Sequence, residues 1–206
     1  YHGAKPRRFQ ELYEFFNYNE IPEILNMLNV KYVLYESENG LSPLINNDAQ
    51  GNAWIIDSLV KVNSADEVLE SFKSINLKTD AVVEDDNIAK ALKIDNNIDY
   101  DASIELIEDS VNLLKYSFNS KSRQVVVFSE MFYENGWKAS IDGQEVPHYR
   151  VNYILRALPV NKGKHIISFE FIPEVIELGT KIRYTSMSLF ALILILIVFN
   201  SNFKFK

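Results

Sequence analysis

Residues 137–146 read WKASIDGQEV and contain the clearest local fold signal in the chain. Two segments that suit β-strands flank the pair Asp142-Gly143. A two-residue turn between antiparallel strands requires positive φ angles, which Asp tolerates and Gly adopts without steric cost. The stretch therefore predicts a tight β-hairpin, and its neighbours extend the same pattern in both directions.

Strand signals follow one another closely around this hairpin, and Asn161-Lys162-Gly163 marks a further reversal of the chain. The chain has 13 Phe and 11 Tyr but only 7 Gly, a bias that suits strands. Seven short strands at regular spacing predict an antiparallel β-sandwich, Ig-like or jelly-roll-like, over residues 102–175. The predicted strands are Ser103–Asp109, Asn112–Asn119, Arg123–Tyr133, Trp137–Ile141, Gln144–Arg150, Tyr153–Val160 and Lys164–Ile172.

Residues 1–90 mix helical and strand patterns and predict a small α+β domain. Ser64 and Glu67 form a capping box that opens a helix. Gly40 and Pro43 indicate a loop, and the polar residues 91–101 indicate a linker to the sandwich. The other predicted elements are helices after Pro6 and over Glu20–Leu28, and strands over Val30–Tyr35, Trp54–Val62 and Ala81–Glu84.

The segment Tyr184–Phe199, YTSMSLFALILILIVF, contains no charged residue. With the residues before it, the apolar stretch reaches the length of about 17 residues that a helix needs to cross a bilayer. A buried core helix is the alternative, but such helices are seldom apolar on every face. We therefore expect a transmembrane helix over residues 180–200 and a short tail over residues 201–206.

Composition excludes several classes of function. The chain has no cysteine, which rules out disulfides, zinc–thiolate sites and thiol nucleophiles. Its net charge of −7, without a basic stripe, argues against nucleic acid as a partner. No residue pattern indicates a catalytic constellation, a metal site or a cofactor.

Four stretches in order resemble the C-terminal portion of the bacterial YfhO family of membrane proteins. They are LNMLNVKY (25–32), GNAW (51–54), SEMFYENGWKASIDGQEV (129–146) and NYILRALPVNKGKHIISFEFIP (152–173). The opening YHGAKPRRFQEL is similar to the junction between the helices and the soluble part in that family. The resemblance covers nearly the whole chain.

The resemblance implies a membrane glycosyltransferase of the C-type fold that takes a polyprenyl-phosphate sugar as donor and glycosylates a cell-surface polymer. It implies an extracytoplasmic globular region, a cytoplasmic tail and further transmembrane helices upstream of Tyr1. The acidic catalytic residue of the family would lie in that upstream part, so no catalytic residue is assigned here. Expected partners are the bilayer, those upstream helices, the lipid-linked sugar and a cell-surface glycopolymer.

Two groups of side chains are candidate binding residues. His2, Lys5, Arg7 and Arg8 form a basic cluster that can contact a lipid-linked phosphate, although lipid headgroups or solvent also account for such a cluster. Rings for stacking on a sugar are offered by Tyr133, Tyr149 and Tyr153. Trp137 is a fourth ring, but its alternation with Ala139 and Ile141 favours a place in the core.

A different class of function remains open. A β-sandwich on a single membrane helix also suits a non-enzymatic, membrane-anchored binding or adhesion module. Hydrophobic helices upstream of Tyr1 would favour the enzyme, and a signal peptide would favour the adhesion module.

Overall fold

The computed structural model describes residues 6–37, 40–95 and 97–203. Its helices are α1 (Arg7–Asn19), α2 (Pro22–Met27), α3 (Ala65–Ser71), α4 (Asp86–Ala91) and α5 (Glu174–Phe203). The first five strands are β1 (Tyr32–Ser37), β2 (Gly40–Ile45), β3 (Ala53–Ile56), β4 (Ser58–Lys61) and β5 (Asp80–Val83). The remaining strands are β6 (Ser103–Ser110), β7 (Leu113–Ser120), β8 (Gln124–Met131), β9 (Trp137–Ile141), β10 (Gln144–Val146), β11 (Tyr149–Val151), β12 (Leu155–Val160) and β13 (Gly163–Phe171).

Five antiparallel strands form the outer sheet of the sandwich, in the order β10-β9-β13-β7-β6. The predicted hairpin joins β9 to β10, and Asp142 and Gly143 have the positive φ angles that its turn requires, 52° and 81°. Burial alternates along β7, so one face of this sheet meets solvent and the other meets the core. The inward side chains include Tyr116, Phe118 and Phe169.

Four antiparallel strands form the central sheet, in the order β11-β12-β8-β3. Its residues are buried on both faces, which explains the unbroken apolar run of β8. Val126 and Phe128 pack against the outer sheet, whereas Val125 and Val127 face the opposite side. The central sheet is thus the middle of three layers.

Helices α1–α4 and the parallel pair β4–β5 form the third layer, on the other face of the central sheet. Leu12, Met27, Phe72 and Leu92 are fully buried in the core that this layer shares with Val127. The predicted capping box is present, since Ser64 Oγ accepts a hydrogen bond from the Glu67 N–H at 3.2 Å. The β1–β2 hairpin stands apart from this core, with its apolar side chains largely exposed.

The predicted fold class is confirmed: an N-terminal α+β unit, an antiparallel sandwich and one C-terminal apolar helix. The division at residues 91–101 stays a prediction, and the core shared across it joins the two parts. The helix α5 has 30 residues, and the 22 residues Leu178–Phe199 are long and apolar enough to cross a membrane. None of this stretch is buried against the globular part.

Four local predictions were wrong. The predicted strand Trp54–Val62 is two strands, because Thr79 O accepts hydrogen bonds from the N–H groups of Asp57 and Ser58 and redirects the chain. The predicted strand Gln144–Arg150 is also two, in different sheets, because Pro147 has no N–H for a ladder. Residues 40–45 form β2 rather than a loop.

The fourth concerns residues 86–91, where the turn-rich composition hid a helix. Asp85 caps α4 by accepting hydrogen bonds from the N–H groups of Asn87 and Ile88. The split of Gln144–Arg150 adds one strand and β3 adds another, so the two sheets have nine strands rather than the predicted seven.

Candidate functional site

One end of the sandwich carries the connection to α5. At this end the Ile172 N–H donates to Gly136 O at 2.7 Å, and the Phe171 N–H donates to Asn112 O at 2.9 Å. The β6–β7 turn and the loop 132–136 therefore flank the point where α5 leaves. Four residues of helix, about 6 Å, separate Pro173 from the apolar stretch. We call this region the helix-proximal end, and it lies next to any bilayer that α5 enters.

A pocket of about 280 Å³ opens beside this end between the start of α1, the loop after β8, and the β11–β12 turn. We call it the arginine pocket, because three guanidinium-bearing side chains line it. Its lining residues are Pro6, Arg7, Arg8, Phe9, Met131, Phe132, Tyr133, Glu134, Asn135, Arg150, Tyr153 and Ile154. Glu134 and Asn135 also line a second pocket against Ile172 and Val175, which connects the arginine pocket to the base of α5.

Two of the three arginines are paired with carboxylates. Arg8 forms a salt bridge with Glu84 at 2.5 Å and donates to Tyr153 O at 3.3 Å. Arg7 forms a salt bridge with Glu11 at 2.7 Å, and its side chain is 90% exposed. An exposed pair of this kind contributes little to stability and opens readily.

Arg150 differs from both. Its guanidinium lies over the Phe132 ring at 4.9 Å, and no described carboxylate lies within salt-bridge distance of it. Burial, followed by the charge of Arg8, lowers the pKa of Arg150 below its ordinary value. An arginine nevertheless stays protonated at neutral pH, so the pocket holds a partly buried positive charge without a salt bridge, which Glu84 and Glu134 offset only in part.

The turn between β11 and β12 places Tyr153 at this pocket. Asn152 and Tyr153 both have positive φ angles, 47° and 72°. Asn152 stabilises this turn, because its side-chain Oδ1 accepts from the Val82 N–H at 2.8 Å while its backbone N–H donates to Val82 O at 3.0 Å. The turn is thereby tied to β5 of the third layer.

Tyr153 is covered on several sides. The side chain is buried, the Arg8 guanidinium stacks on its ring at 4.9 Å, and its hydroxyl donates to Glu11 Oε2 at 2.6 Å. Burial and the hydrogen bond to Glu11 raise the pKa of Tyr153 to about 12. The same hydrogen bond, followed by that of Arg7, lowers the pKa of Glu11. Tyr153 therefore forms a neutral, fixed wall of the pocket.

The structure brings four of the sequence-predicted binding residues together in this pocket: Arg7, Arg8, Tyr133 and Tyr153. Tyr133 is 46% exposed and offers a ring face to solvent. Tyr149 lies elsewhere, partly buried against the core between the central sheet and the third layer, which we call the first core. His2 and Lys5 lie outside the described residues.

Sequence reasoning missed Arg150 and Phe132. Both were assigned to strands, and nothing in their local pattern brings them to Arg8, which is 142 positions before Arg150 in the chain. The signal that was available is the aromatic spacing around them, FY at 132–133 and Y at 149 and 153, flanking a lone arginine. Aromatic rings beside an arginine indicate cation–π contacts, which this pocket contains.

The described histidines and carboxylates outside this pocket make separate local contacts. Among the described residues, no group of three His, Asp or Glu side chains is placed to hold a metal ion. His165 is hydrogen-bonded to Asp142 at 2.7 Å beside the β9–β10 turn. His148 is largely buried, and burial, followed by the charge of Arg156, lowers its pKa to about 4.

Comparison with known proteins identifies the family. The sequence profile described as "Bacterial membrane protein YfhO" matches residues 54–183, which is more than half of the chain. No curated protein and no solved structure matches significantly. The matched segment covers both sheets of the sandwich and the first part of α5. This chain therefore belongs to the YfhO family of bacterial membrane proteins.

Proposed function

We propose that this chain is the extracytoplasmic accessory region of a multi-pass bacterial membrane glycosyltransferase. The enzyme would use a polyprenyl-phosphate sugar as donor and glycosylate a cell-surface polymer. In this proposal, upstream helices of the same protein carry the catalytic residues. The described region contributes a site that holds the phosphate of the donor at the membrane surface.

Arg150 is the observation that carries the proposal. It supplies a partly buried guanidinium that forms no salt bridge with a described carboxylate, next to a second guanidinium on Arg8, while Glu84 and Glu134 balance its charge only from a distance. The repulsion between two such cations is relieved when an anion lies between them. Guanidinium groups bind phosphate through parallel N–H donors, which makes this pair suitable for a phosphate oxygen cluster.

The position of the pocket favours a lipid, rather than a soluble phosphate ester, as the source of that phosphate. Its loop also contacts the base of α5, which supports a placement of the bound group near the lipid headgroups. A soluble phosphate ester does not need this location, whereas a lipid phosphate is confined to it. Tyr133, with its half-exposed ring, is then placed to contact the sugar or the first isoprene unit of the same lipid.

Lipid retention in nanodiscs tests the proposal. The chain, with α5 embedded, is exposed to polyprenyl phosphate or to the matched polyprenol, and bound lipid is measured by native mass spectrometry. Arg150→Gln removes one charge-assisted phosphate contact, for which we expect about a tenfold loss of affinity. Lys164→Gln is the matched control, because it removes an exposed cation on β13 outside this pocket.

The expected result is retention of the phosphate and not of the alcohol, with a loss in Arg150→Gln that Lys164→Gln does not show. Equal retention of both lipids, or unchanged affinity in Arg150→Gln, would contradict a phosphate site. Membrane placement of the family member does not depend on this outcome.

A further inference from the structure

We propose that the helix-proximal end carries a second binding site, for a neutral saccharide ring, in the open cleft between the two sheets. This cleft has a volume of about 520 Å³ and is lined by Asp109, Ser110, Val111, Leu114, Glu130 and Trp137. We call it the indole pocket. The inference deepens the proposed function by naming the chemical class that a second site would hold.

The strand ends explain why this cleft lies at the helix-proximal end. Asp109 and Ser110 are the last residues of β6, Trp137 is the first residue of β9, and Glu130 lies one residue before the end of β8. Residues 132–136 connect Glu130 in β8 to Trp137 in β9, and residues 132–135 line the arginine pocket. The two pockets are therefore neighbours separated by a single loop.

A buried arginine fixes two walls of the cleft. Arg156 has a side chain only 1% exposed, and its Nη2 donates to Glu130 Oε2 at 3.3 Å. Its guanidinium lies 4.6 Å from the Trp137 ring and 4.6 Å from the Phe169 ring. One residue thus orients both a carboxylate and an indole that face the cleft.

The burial of the charged Arg156 side chain carries two energetic penalties. Its Nε and Nη1 atoms are buried without a hydrogen-bond partner, and burial lowers its pKa. An aliphatic side chain of the same volume would avoid both penalties. The arrangement is better explained by positioning of Glu130 and Trp137 than by packing of the core.

Trp137 itself departs from the sequence expectation of a core residue. It is half-buried, packs against the core between the two sheets, which we call the second core, and also lines the cleft. An amphipathic ring held in this way is a typical platform for the C–H face of a sugar. Leu114 supplies an apolar floor beside it.

The charges of the cleft identify the ligand class. Asp109 and Glu130 are carboxylates, which accept hydrogen bonds from hydroxyl groups and repel anions. Phosphate is thus excluded here and favoured in the arginine pocket across the loop. A neutral ring that carries several hydroxyl groups satisfies both the carboxylates and the indole, which a bare hydrocarbon does not.

Trp137 emission provides a direct test, because the chain has only two tryptophans. Trp54 is 8% exposed in the first core, and its Nε1 has no hydrogen-bond partner, so Trp54→Phe leaves Trp137 as the only tryptophan without the loss of a hydrogen bond. This variant of the chain, with α5 in nanodiscs, is titrated with the methyl glycosides of glucose, galactose and N-acetylglucosamine. We expect a saturable change in Trp137 emission with at least one of them.

Asp109→Asn, made in the single-tryptophan background, should weaken that binding about tenfold, because it removes a charged acceptor without touching Arg156. Glu145→Gln is the matched control, since Glu145 is an exposed carboxylate on β10 that does not line the cleft. Circular dichroism melts confirm that both variants fold.

Three results would overturn the inference: no emission change with any glycoside, equal affinity in Asp109→Asn and its parent, or a response to tetramethylammonium alone. The last would identify a cation site. No phosphate lipid enters this experiment, so its failure leaves the arginine pocket standing, and a failure of the lipid experiment leaves the indole pocket standing.

Discussion

The two sheets of the sandwich share strand length, antiparallel pairing and aromatic content, yet their sequences differ in kind. Along β7 and β13 of the outer sheet, buried and accessible residues alternate. Along β8 of the central sheet, five consecutive residues are buried, and β12 is nearly the same. The difference arises because water covers one face of the outer sheet, whereas protein covers both faces of the central one.

Lysine substitutions at adjacent positions should distinguish the two sheets, and they should have the largest effect on stability. Val126→Lys and Val127→Lys point to opposite faces of β8, and each buries an unpaired charge, at a cost of more than about 4 kcal/mol. Ile167→Lys in β13 should be equally damaging, whereas Ile166→Lys, at a site 41% exposed, should be tolerated. Thermal denaturation followed by circular dichroism measures all four. Tolerance of either lysine in β8 would mean that one face of the central sheet is open.

Substitutions of Arg156, the buried arginine between the sheets, should have a smaller effect on stability, which depends on the volume of the new side chain. Arg156→Ala leaves a cavity between Trp137 and Phe169, for which we expect a loss of about 3 kcal/mol. Arg156→Met keeps the volume and removes the buried charge, so its free energy of unfolding should lie within about 1 kcal/mol of the natural chain. Urea denaturation compares the two. Equal losses would show that the charge, rather than the packing, stabilises this interface.

His148 and His165 have pKa values shifted in opposite directions, so their contributions to stability should depend on pH in opposite ways. Because the pKa of His148 is lowered to about 4, the unfolded chain binds a proton there that the folded chain does not. Stability should therefore fall as the pH drops from about 6.5 to 4.5, by about 2–3 kcal/mol, and His148→Gln should remove that slope. Denaturant titrations across this pH range provide the measurement.

His165 is the control for that experiment. Its pKa is raised, chiefly by the hydrogen bond to Asp142, so its contribution is present at acid pH and lost as the pH rises through the folded pKa. The pair is largely accessible to solvent, which keeps the contribution small. His165→Gln should leave the acid slope intact. An acid slope that persists in His148→Gln would assign it to other groups.

The smallest effect is expected in the β1–β2 hairpin. Leu34 and Leu41 are 62% and 68% exposed and belong to neither core. Leu34→Ser and Leu41→Ser should change the free energy of unfolding by less than about 0.5 kcal/mol. A larger loss on chemical denaturation would show that the hairpin packs on the rest of the chain.

The same contrast explains what the sequence could predict. Strands with one solvent-exposed face were located within a residue or two, because solvent on one face imposes a hydrophobic period of two. For example, the predicted strand Lys164–Ile172 corresponds to β13, Gly163–Phe171. The split at Asp57 was missed because it depends on Thr79, a partner distant in the chain, whereas the split at Pro147 had a local signal that the strand assignment overlooked. β3 was assigned to the N-terminal unit for the same reason, although it pairs with β8.

The candidate site follows a similar rule. Arg7 and Arg8 were identified because they are adjacent to each other, and Tyr133 and Tyr153 because of their residue type. Arg150 was missed because its role in the pocket depends on the fold: the β11–β12 turn brings it onto Phe132 and toward Arg8. Arg156 was missed because a strand pattern does not show which of its charged residues is buried.

Both proposals require the globular part to lie outside the cytoplasmic membrane, so sidedness is the most direct test. The natural chain has no cysteine, which allows single cysteines at Lys162, in the turn before β13, and at Asn202, in the last turn of α5. Intact spheroplasts that express the whole protein, with any cysteine upstream of Tyr1 replaced by serine, are treated with a membrane-impermeant maleimide. We predict that position 162 is labelled and that position 202 is labelled only after lysis. Labelling of position 202 with protection of position 162 would place the sandwich in the cytoplasm and contradict the account.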